Sequence, residues 1–150
     1  MYAKPFIAGW GDMDSNAHMR NTAFLDRAAD VRMMFFADSG FEMKAFAGRR
    51  LGPVIAKDEI AYFREVDLLQ PVTVTLQLAG LAADGSRFLM RNDILGPTGK
   101  LCARIDSTGG WLDLASRKLV TPPPELLAAL ATLARSEDFA DLPSSVRNDP

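Results

Sequence analysis

The sequence has few thiol and imidazole groups: among its 150 residues there is one cysteine, Cys102, and one histidine, His18. A lone cysteine cannot form an internal disulfide, so we expect a protein of the reducing cytoplasm. Cys102 lies in a strand pattern with no Cys or His neighbour at ligand spacing. This placement indicates a small core residue rather than a nucleophile or a metal ligand.

Long hydrophobic runs and a strong net charge are also absent. No stretch of 18 apolar residues occurs, and the N-terminus lacks the basic-then-apolar order of a signal peptide. We therefore expect no membrane association. A net charge of −2 argues against a protein built to coat nucleic acid. The hydrophobic fraction of 48% and charged fraction of 24% suit one globular domain of this length.

The order of the predicted elements indicates an α+β domain. A short strand over residues 1–8 precedes a polar loop, and a helix begins near Asn21 or Thr22 and ends at Gly40. Strand patterns follow at residues 54–66, 72–78, 87–95 and 100–113, with turn signals at 83–86 and 96–99. Consecutive strands after one long helix predict an antiparallel sheet packed on that helix, and the remaining apolar surface favours a second protomer.

The C-terminal part of the chain changes character after the last long strand. Three prolines at 122–124 lead into a short helix over residues 125–135. Residues 136–150 are polar and have no apolar period, which predicts a mobile tail. We therefore expect one domain over residues 1–135 and a tail beyond it.

The polar loop before the long helix holds the candidate catalytic groups. Asp12, Asp14 and His18 lie close to the predicted helix start, where unpaired N–H groups and a partial positive charge collect. A carboxylate there, with an N–H group aimed at a carbonyl oxygen, supplies an attacking group and an oxyanion stabiliser together. A calcium loop is excluded, because Ala17 and Ala23 stand where that motif needs Gly and Glu. We expect no metal.

With the elements in this order, the chain resembles the hotdog fold, in which an antiparallel sheet wraps one long helix. More narrowly, it resembles the 4-hydroxybenzoyl-CoA thioesterase-like acyl-CoA thioesterases. The resemblance covers roughly residues 4–135 and depends on four motifs. In chain order they are Asp12-Met13-Asp14, His18-Met19-Arg20-Asn21, Asp30-Val31-Arg32 before Gly40, and Trp111-Leu112-Asp113 before the prolines.

The resemblance implies hydrolysis of an acyl-CoA thioester to free acid and coenzyme A, which is part of the substrate, so that no cofactor is needed. It implies that Asp14 is the catalytic carboxylate, as nucleophile or general base, and that the N–H of Asn21 polarises the thioester carbonyl. It also implies a homodimer or homotetramer with sites between protomers. From the residues alone, Asp14 also suits a turn or cap, Asp12 suits a loop-structuring role, and His18 suits either a loop hydrogen bond or the acyl site.

Basic residues on the predicted strands and connections are candidates for binding the phosphates of coenzyme A, because the arginine fork matches phosphate. For any one of them a solvated surface position is the alternative. The candidates are Arg49, Arg50, Arg87, Arg91, Lys100 and Arg104.

Two other functions remain open at this stage. A hotdog hydratase or dehydratase acting on acyl thioesters would need His18 to move protons. A non-catalytic protein that binds acyl-CoA or a carrier-protein thioester would need no catalytic group. The sequence contains no Gly-x-Ser-x-Gly motif, so nothing indicates a serine-based hydrolase.

Overall fold

A computed structural model describes residues 1–146 of the chain. Its helices and strands are, in chain order, β1 (Tyr2–Ile7), α1 (Asn21–Asp38), α2 (Met43–Gly48), β2 (Leu51–Tyr62), β3 (Pro71–Ala82), β4 (Arg87–Leu95), β5 (Leu101–Asp113), β6 (Lys118–Val120), α3 (Pro124–Leu130) and β7 (Arg135–Leu142). A single 3₁₀ turn, Trp10–Asp12, follows β1. No helix in this part of the chain is both long and apolar enough to cross a membrane.

The strands form one sheet, and its main body has five antiparallel strands in the order β1-β3-β4-β5-β2. Helix α1 packs against β1, β3, β4 and β5. This arrangement confirms the predicted α+β hotdog architecture. Two short strands extend the sheet beyond that prediction: β6 pairs antiparallel with β5, and β7 pairs parallel with β3.

Helix α1 is the centre of the core, as its apolar spacing predicts. Phe24, Ala28, Val31 and Phe35, spaced at helical intervals, are all buried. The helix begins at Asn21, so its N-cap residue is Arg20 and neither Asn21 nor Thr22. The side chain of Arg20 makes no capping hydrogen bond. The helix ends at Asp38, two residues before the predicted stop at Gly40. Gly40 adopts φ +89°, the left-handed conformation that glycine tolerates best after a helix.

A buried arginine ties α1 to the sheet. Arg32 is 7% exposed and donates from Nη1 to Asn92 Oδ1 at 3.2 Å and to Ser107 Oγ at 3.1 Å. Asn92 in turn donates to the carbonyl of Thr75, and Ser107 donates to Asp58 Oδ1 at 2.6 Å. Burial lowers the pKa of Arg32, and the charge of Asp58 opposes that shift. Polar groups taken out of water need such partners, so this network fixes how the helix lies on β3, β4 and β5.

The two adjacent glycines of β5, Gly109 and Gly110, are required for steric reasons. A Cβ on Gly109 would collide with the carbonyl oxygen of Val54, and a Cβ on Gly110 would lie 2.6 Å from that of Ser86. Glycine is required because neighbouring backbones approach β5 closely here. A bulge lies on the partner strand, where the β2–β5 register shifts at Ala56.

Two connections differ from the sequence-based prediction. The link between α1 and β2 contains the short helix α2, and residues 136–142 of the expected mobile tail belong to strand β7. Residues 147–150 of that tail lie outside the described residues. The sequence of β7 shows no apolar period because its anchor is distant in sequence: Asp138 binds Arg91 on β4.

Arg91 holds β7 to the outer face of the sheet. Its side chain is 10% exposed and donates to both oxygens of Asp106 on β5 and to both oxygens of Asp138 on β7, at 2.8–3.1 Å. These bonds from Arg91, and then that from Ser136, lower the pKa of Asp138 to about 2. Since the carboxyl of an unfolded aspartate titrates near pH ~3.9, the contact stabilises the fold most in its ionised form.

We therefore predict an acid-dependent contribution from Asp138. Its stabilisation is fully present above about pH 4, the unfolded pKa, and is lost as the pH falls towards the folded pKa of about 2. The free energy of unfolding in urea should differ between the native protein and Asp138→Asn at pH 6, and this difference should shrink below pH ~4. Asp141→Asn on the same strand is the control, because Asp141 has no ion pair within residues 1–146. A difference that stays constant down to pH ~2 would contradict the assignment.

Candidate active site

The loop between β1 and α1 is a tight backbone turn. The N–H of Asp14 donates to the carbonyl of His18 at 2.8 Å, and the N–H of Ala17 donates to the carbonyl of Asp14 at 3.1 Å. Ala17 adopts φ +58°, a conformation that costs a non-glycine residue energy and that clusters at functional sites. The turn brings Asp14 and His18 to the same side of the loop.

The same loop is tied to the connection between β2 and β3. The N–H of Met19 donates to the carbonyl of Val66 at 2.8 Å, and the N–H of Leu68 donates to that of Ala17 at 3.2 Å. His18 forms an isolated bridge with Asp67 between these two bonds. The crossing places the catalytic candidates against the end of β2.

A cleft of about 290 Å³ opens where these segments meet. The structure brings the three predicted catalytic residues, Asp14, His18 and Asn21, together in its lining. The other lining residues were not predicted for the site; they come from the start of α1 and from the end of β2, and are Met19, Phe24, Tyr62, Phe63, Arg64 and Glu65.

Asp14 is held through only one of its carboxylate oxygens. Its Oδ1 accepts the backbone N–H groups of Asn16 at 2.9 Å and of His18 at 3.2 Å. Its Oδ2 has no hydrogen-bond donor within residues 1–146, and the residue is exposed in the cleft. The carboxylate is thus oriented by the loop and retains a free oxygen for chemistry.

The start of α1 presents a free donor to the same cleft. Asn21 is the first residue of the helix, and its N–H has no acceptor among residues 1–146, as expected for the first turn. The side chain of Arg20 is held by other partners: it donates to the carbonyl of Gly11 and to Thr22 Oγ1, and it pairs with Asp26 at 3.5 Å. No side chain among residues 1–146 accepts a hydrogen bond from the Asn21 N–H.

His18 lies between two carboxylates. Its Nε2 is 3.3 Å from Glu65 Oε2 and 3.4 Å from Asp67 Oδ1, and its side chain is 34% exposed. A protonated imidazole would form ion pairs with both, and a neutral one with Nε2–H would donate to either. His18 thus links the catalytic loop to the β2–β3 connection.

Asp12 has a different environment from Asp14. It is 6% exposed, and both of its oxygens accept from Nη2 of Arg27 on α1, at 2.7 and 2.9 Å. The N–H of Gly9 also donates to Asp12 Oδ2 at 3.2 Å. Burial alone would raise the pKa of Asp12, but the bonds from Arg27 and Gly9 outweigh it and hold that pKa below its usual value. Asp12 anchors the loop to the helix, as predicted from its loop-structuring chemistry.

The candidate phosphate ligands lie outside the lining of the cleft. On the outer face of the sheet, Arg91 is engaged by two aspartates, and Arg104 donates to both oxygens of Asp93. The others are in three places: Arg49 lies 3.7 Å from Glu125, Arg50 and Lys100 are exposed in turns, and Arg87 donates to Ser145 Oγ. Phosphate binding by these residues stays a prediction. Cys102 is buried, and burial raises the pKa of its thiol, which fits its predicted core position.

The cleft residues that sequence reasoning missed share one signal. Tyr62, Phe63, Arg64 and Glu65 form a run of large aromatic and charged side chains where the predicted strand 54–66 nears its end. The strand ends at Tyr62, so these side chains no longer alternate between two faces of a sheet. Only the crossing of two loops, which no local pattern reveals, places this run beside Asp14.

Comparison with known proteins places the chain in a family. A family model described as the thioesterase-like superfamily matches residues 8–130. The chain therefore belongs to the thioesterase-like superfamily, which confirms the resemblance drawn from the loop and helix motifs. A search of curated proteins finds no match.

Solved structures share the fold at low sequence identity. A Staphylococcus aureus protein, solved in complex with CoA, is 18% identical with a TM-score of 0.81, covering 87% of this chain and 81% of that one. A 1,4-dihydroxy-2-naphthoyl-CoA thioesterase from Synechocystis is 16% identical with a TM-score of 0.79, covering 88% and 96%. The probable thioesterase YbaW from Escherichia coli is 21% identical with a TM-score of 0.75, covering 89% and 99%.

The two loop aspartates should respond differently to substitution. Asp12→Asn removes the charge that pairs with Arg27 in a buried setting, so the free energy of unfolding should fall by about 1–3 kcal/mol. Asp14→Asn keeps an oxygen that can accept the same backbone bonds in an exposed position, so the change should stay within about 0.5 kcal/mol. Urea unfolding of both variants measures this. Equal losses would contradict the separation of roles.

Proposed function

We propose that this protein hydrolyses an acyl-CoA thioester to the free acid and coenzyme A. One observation carries the proposal: Asp14, whose Oδ2 has no donor, and Asn21, whose N–H has no acceptor among residues 1–146, line one cleft. A thioester carbonyl bound between them would meet an attacking or base group and an oxyanion donor together. Membership of the thioesterase-like superfamily supports this reading.

Two routes fit the geometry of Asp14. In the first, Oδ2 attacks the thioester carbonyl, the C–S bond breaks, the thiol leaves, and water hydrolyses the resulting mixed anhydride. In the second, Oδ2 takes a proton from a water that attacks the carbonyl; the tetrahedral intermediate then collapses, the C–S bond breaks, and the proton passes from Asp14 to the departing thiolate. In both, negative charge develops on the carbonyl oxygen, where the Asn21 N–H and the positive end of α1 stabilise it. Neither route needs a cofactor.

Both the relatives and the cleft support an acyl-CoA as the substrate class. One structural relative was solved with CoA, and another is named as a thioesterase acting on an aromatic acyl-CoA. The cleft of this chain has aromatic walls in Phe24, Tyr62 and Phe63, which suit an apolar acyl group. A carrier-protein thioester carries the same reacting group and is the alternative substrate. A cytoplasmic location stays a prediction.

A second candidate reaction is hydration of an enoyl thioester or the reverse dehydration. The observation that favours it is the placement of His18 between Glu65 and Asp67 at 3.3–3.4 Å, since an imidazole beside carboxylates can move protons. Such an enzyme would consume an enoyl thioester without releasing thiol. The free-thiol assay below distinguishes the two.

We also propose that the active form is a dimer paired through β2. This strand hydrogen-bonds only to β5 among the described strands, and most of it is exposed, including Ile55 at 39% and Tyr62 at 45%; Phe63, the residue that follows it, is 56% exposed. A long edge strand presents a row of unpaired backbone N–H and C=O groups, which is a template for pairing with another chain. Because Tyr62 and Phe63 also line the cleft, pairing here would place the cleft at the interface.

The first experiment is a free-thiol assay with short, long-chain and aromatic acyl-CoA substrates. We expect the native protein to release coenzyme A and Asp14→Asn to lose about 10²–10⁴-fold in kcat, the usual share of a catalytic base. Thiol release by Asp14→Asn at the native rate would contradict the assignment of Asp14 as the catalytic carboxylate. Loss of an enoyl substrate without thiol would favour the hydratase.

The same assay tests the N–H of Asn21 with a matched pair of variants. Asn21→Pro removes that N–H at the first helical position, where proline is favoured, and Arg20 before it has the extended ψ of 153° that proline requires. Asn21→Ala removes the side chain and keeps the N–H. We expect kcat to fall about 10²–10³-fold in Asn21→Pro and little in Asn21→Ala. Equal activity of the two variants would show that this N–H does not polarise the carbonyl.

The dimer is tested by sedimentation velocity. The native protein should sediment as a dimer or a pair of dimers, and Ile55→Lys should shift it towards monomer with loss of thiol release, because a charge would be buried at the pairing edge. Leu69→Lys is the control, since Leu69 is 68% exposed and lies outside β2. A native monomer that is fully active would overturn this proposal.

A further inference from the structure

Asn21 is the first residue of α1. Within residues 1–146, Tyr62 is the one residue whose side chain hydrogen-bonds to the backbone of Asn21. Its hydroxyl donates to the carbonyl oxygen of Asn21 at 3.0 Å. Its ring packs edge-on against Phe24, one helical turn further along, with 5.5 Å between ring centroids and 79° between planes. Both contacts join the last residue of β2 to the first turn of the helix.

The start of α1 has little else to hold it. Arg20 caps the helix without a side-chain bond, and no acidic residue stands in the first turn. Helix ends without such caps fray, and the terminal residues lose their fixed geometry. The Tyr62 hydroxyl hydrogen-bonds the Asn21 carbonyl, and the Tyr62 ring packs on Phe24. Together these contacts restrain both the position and the orientation of Asn21. Burial raises the pKa of Tyr62, so the hydroxyl stays a proton donor through neutral and mildly alkaline pH.

From these contacts we infer that Tyr62 is a positioning residue that holds the Asn21 N–H where the thioester carbonyl is polarised. The inference rests on the proposed function and adds a residue from β2 to the helix-based oxyanion site. Small displacements of an oxyanion donor reduce catalysis strongly, because the donor must meet the oxygen as its charge develops. Tyr62 touches the helix rather than the reacting atoms, so it acts through Asn21.

The chain provides a matched control at the opposite end of the same helix. Tyr2 donates from its hydroxyl to Asp38 Oδ2 at 2.6 Å, and its ring packs edge-on against Phe35 with 5.3 Å between centroids and 81° between planes. Tyr2→Phe and Tyr62→Phe therefore each remove one tyrosine hydrogen bond to α1 and keep the ring. They differ in which end of the helix is released.

The experiment measures kcat, KM and thermal stability of both variants, with amide hydrogen exchange of the first turn of α1. We expect Tyr62→Phe to lower kcat about five- to tenfold, the factor that one hydrogen bond is worth, with KM changed less than about twofold. Exchange should rise for the amide of Ala23, which donates to the carbonyl of Arg20, and for that of Leu25, whose helical acceptor is the carbonyl of Asn21. Tyr2→Phe should keep kcat and the exchange of those amides, whatever its effect on melting.

A double variant tests whether Tyr62 acts through the Asn21 N–H. In the Asn21→Pro background that N–H is gone, so Tyr62→Phe should lower kcat by less than about twofold, a loss of additivity expected of coupled residues. A full five- to tenfold loss in that background, or unchanged kcat and exchange in Tyr62→Phe alone, would overturn the inference. Raised exchange with no thiol release by the native protein would instead overturn the proposed function, so the two failures are distinguishable.

Discussion

The burial of α1 against the curled sheet is the constraint from which the site follows. The helix places its apolar stripe on four strands, and Arg32 fixes its rotation through bonds to Asn92 and Ser107. If the helix slid or rotated, the Arg32 guanidinium would lose its hydrogen-bond partners, and an unpaired charge in a dry interior is costly. The direction of the helix, and hence the point where its positive end emerges, is set by contacts far from the cleft.

The cleft is assembled by backbone rather than by side chains. Bonds between the β1–α1 loop and the β2–β3 connection fix the relative positions of Asp14 and the end of β2, and Ala17 adopts an unfavourable backbone conformation that completes the turn. Backbone contacts tolerate changes of side chain, so the other residues that line the cleft can vary while Asp14 and the helix start keep their places.

Much of this could be read from the sequence, and the parts that could not have a common cause. The start of the helix near Asn21, its stop signal at Gly40 and the hairpins follow from periodicity and turn chemistry, whereas the three catalytic candidates follow from the resemblance of the loop to a known family. Strand β7, in contrast, is held by Arg91, 47 residues away from Asp138 in sequence, and no local pattern encodes such a pair. Tyr62 likewise has only the pattern of an ordinary strand residue, because its hydrogen-bond partner Asn21 is 41 residues away in sequence.

The two ends of the sheet have unequal capacity to accept another strand. At one end, β1 is short and contains Pro5, which has no N–H to offer, and β7 carries acidic side chains along its length; these are features that blunt an edge. At the other end, β2 is twelve residues long and hydrogen-bonds only to β5 among the described strands, although it also contains Pro53 and the charged residues Lys57, Asp58 and Glu59. In the dimer proposed above, pairing of β2 with its own copy would occupy this edge of each molecule, so the sheet would not grow further from β2. Such a pair would be closed, with twofold symmetry, and would work against an open fibre.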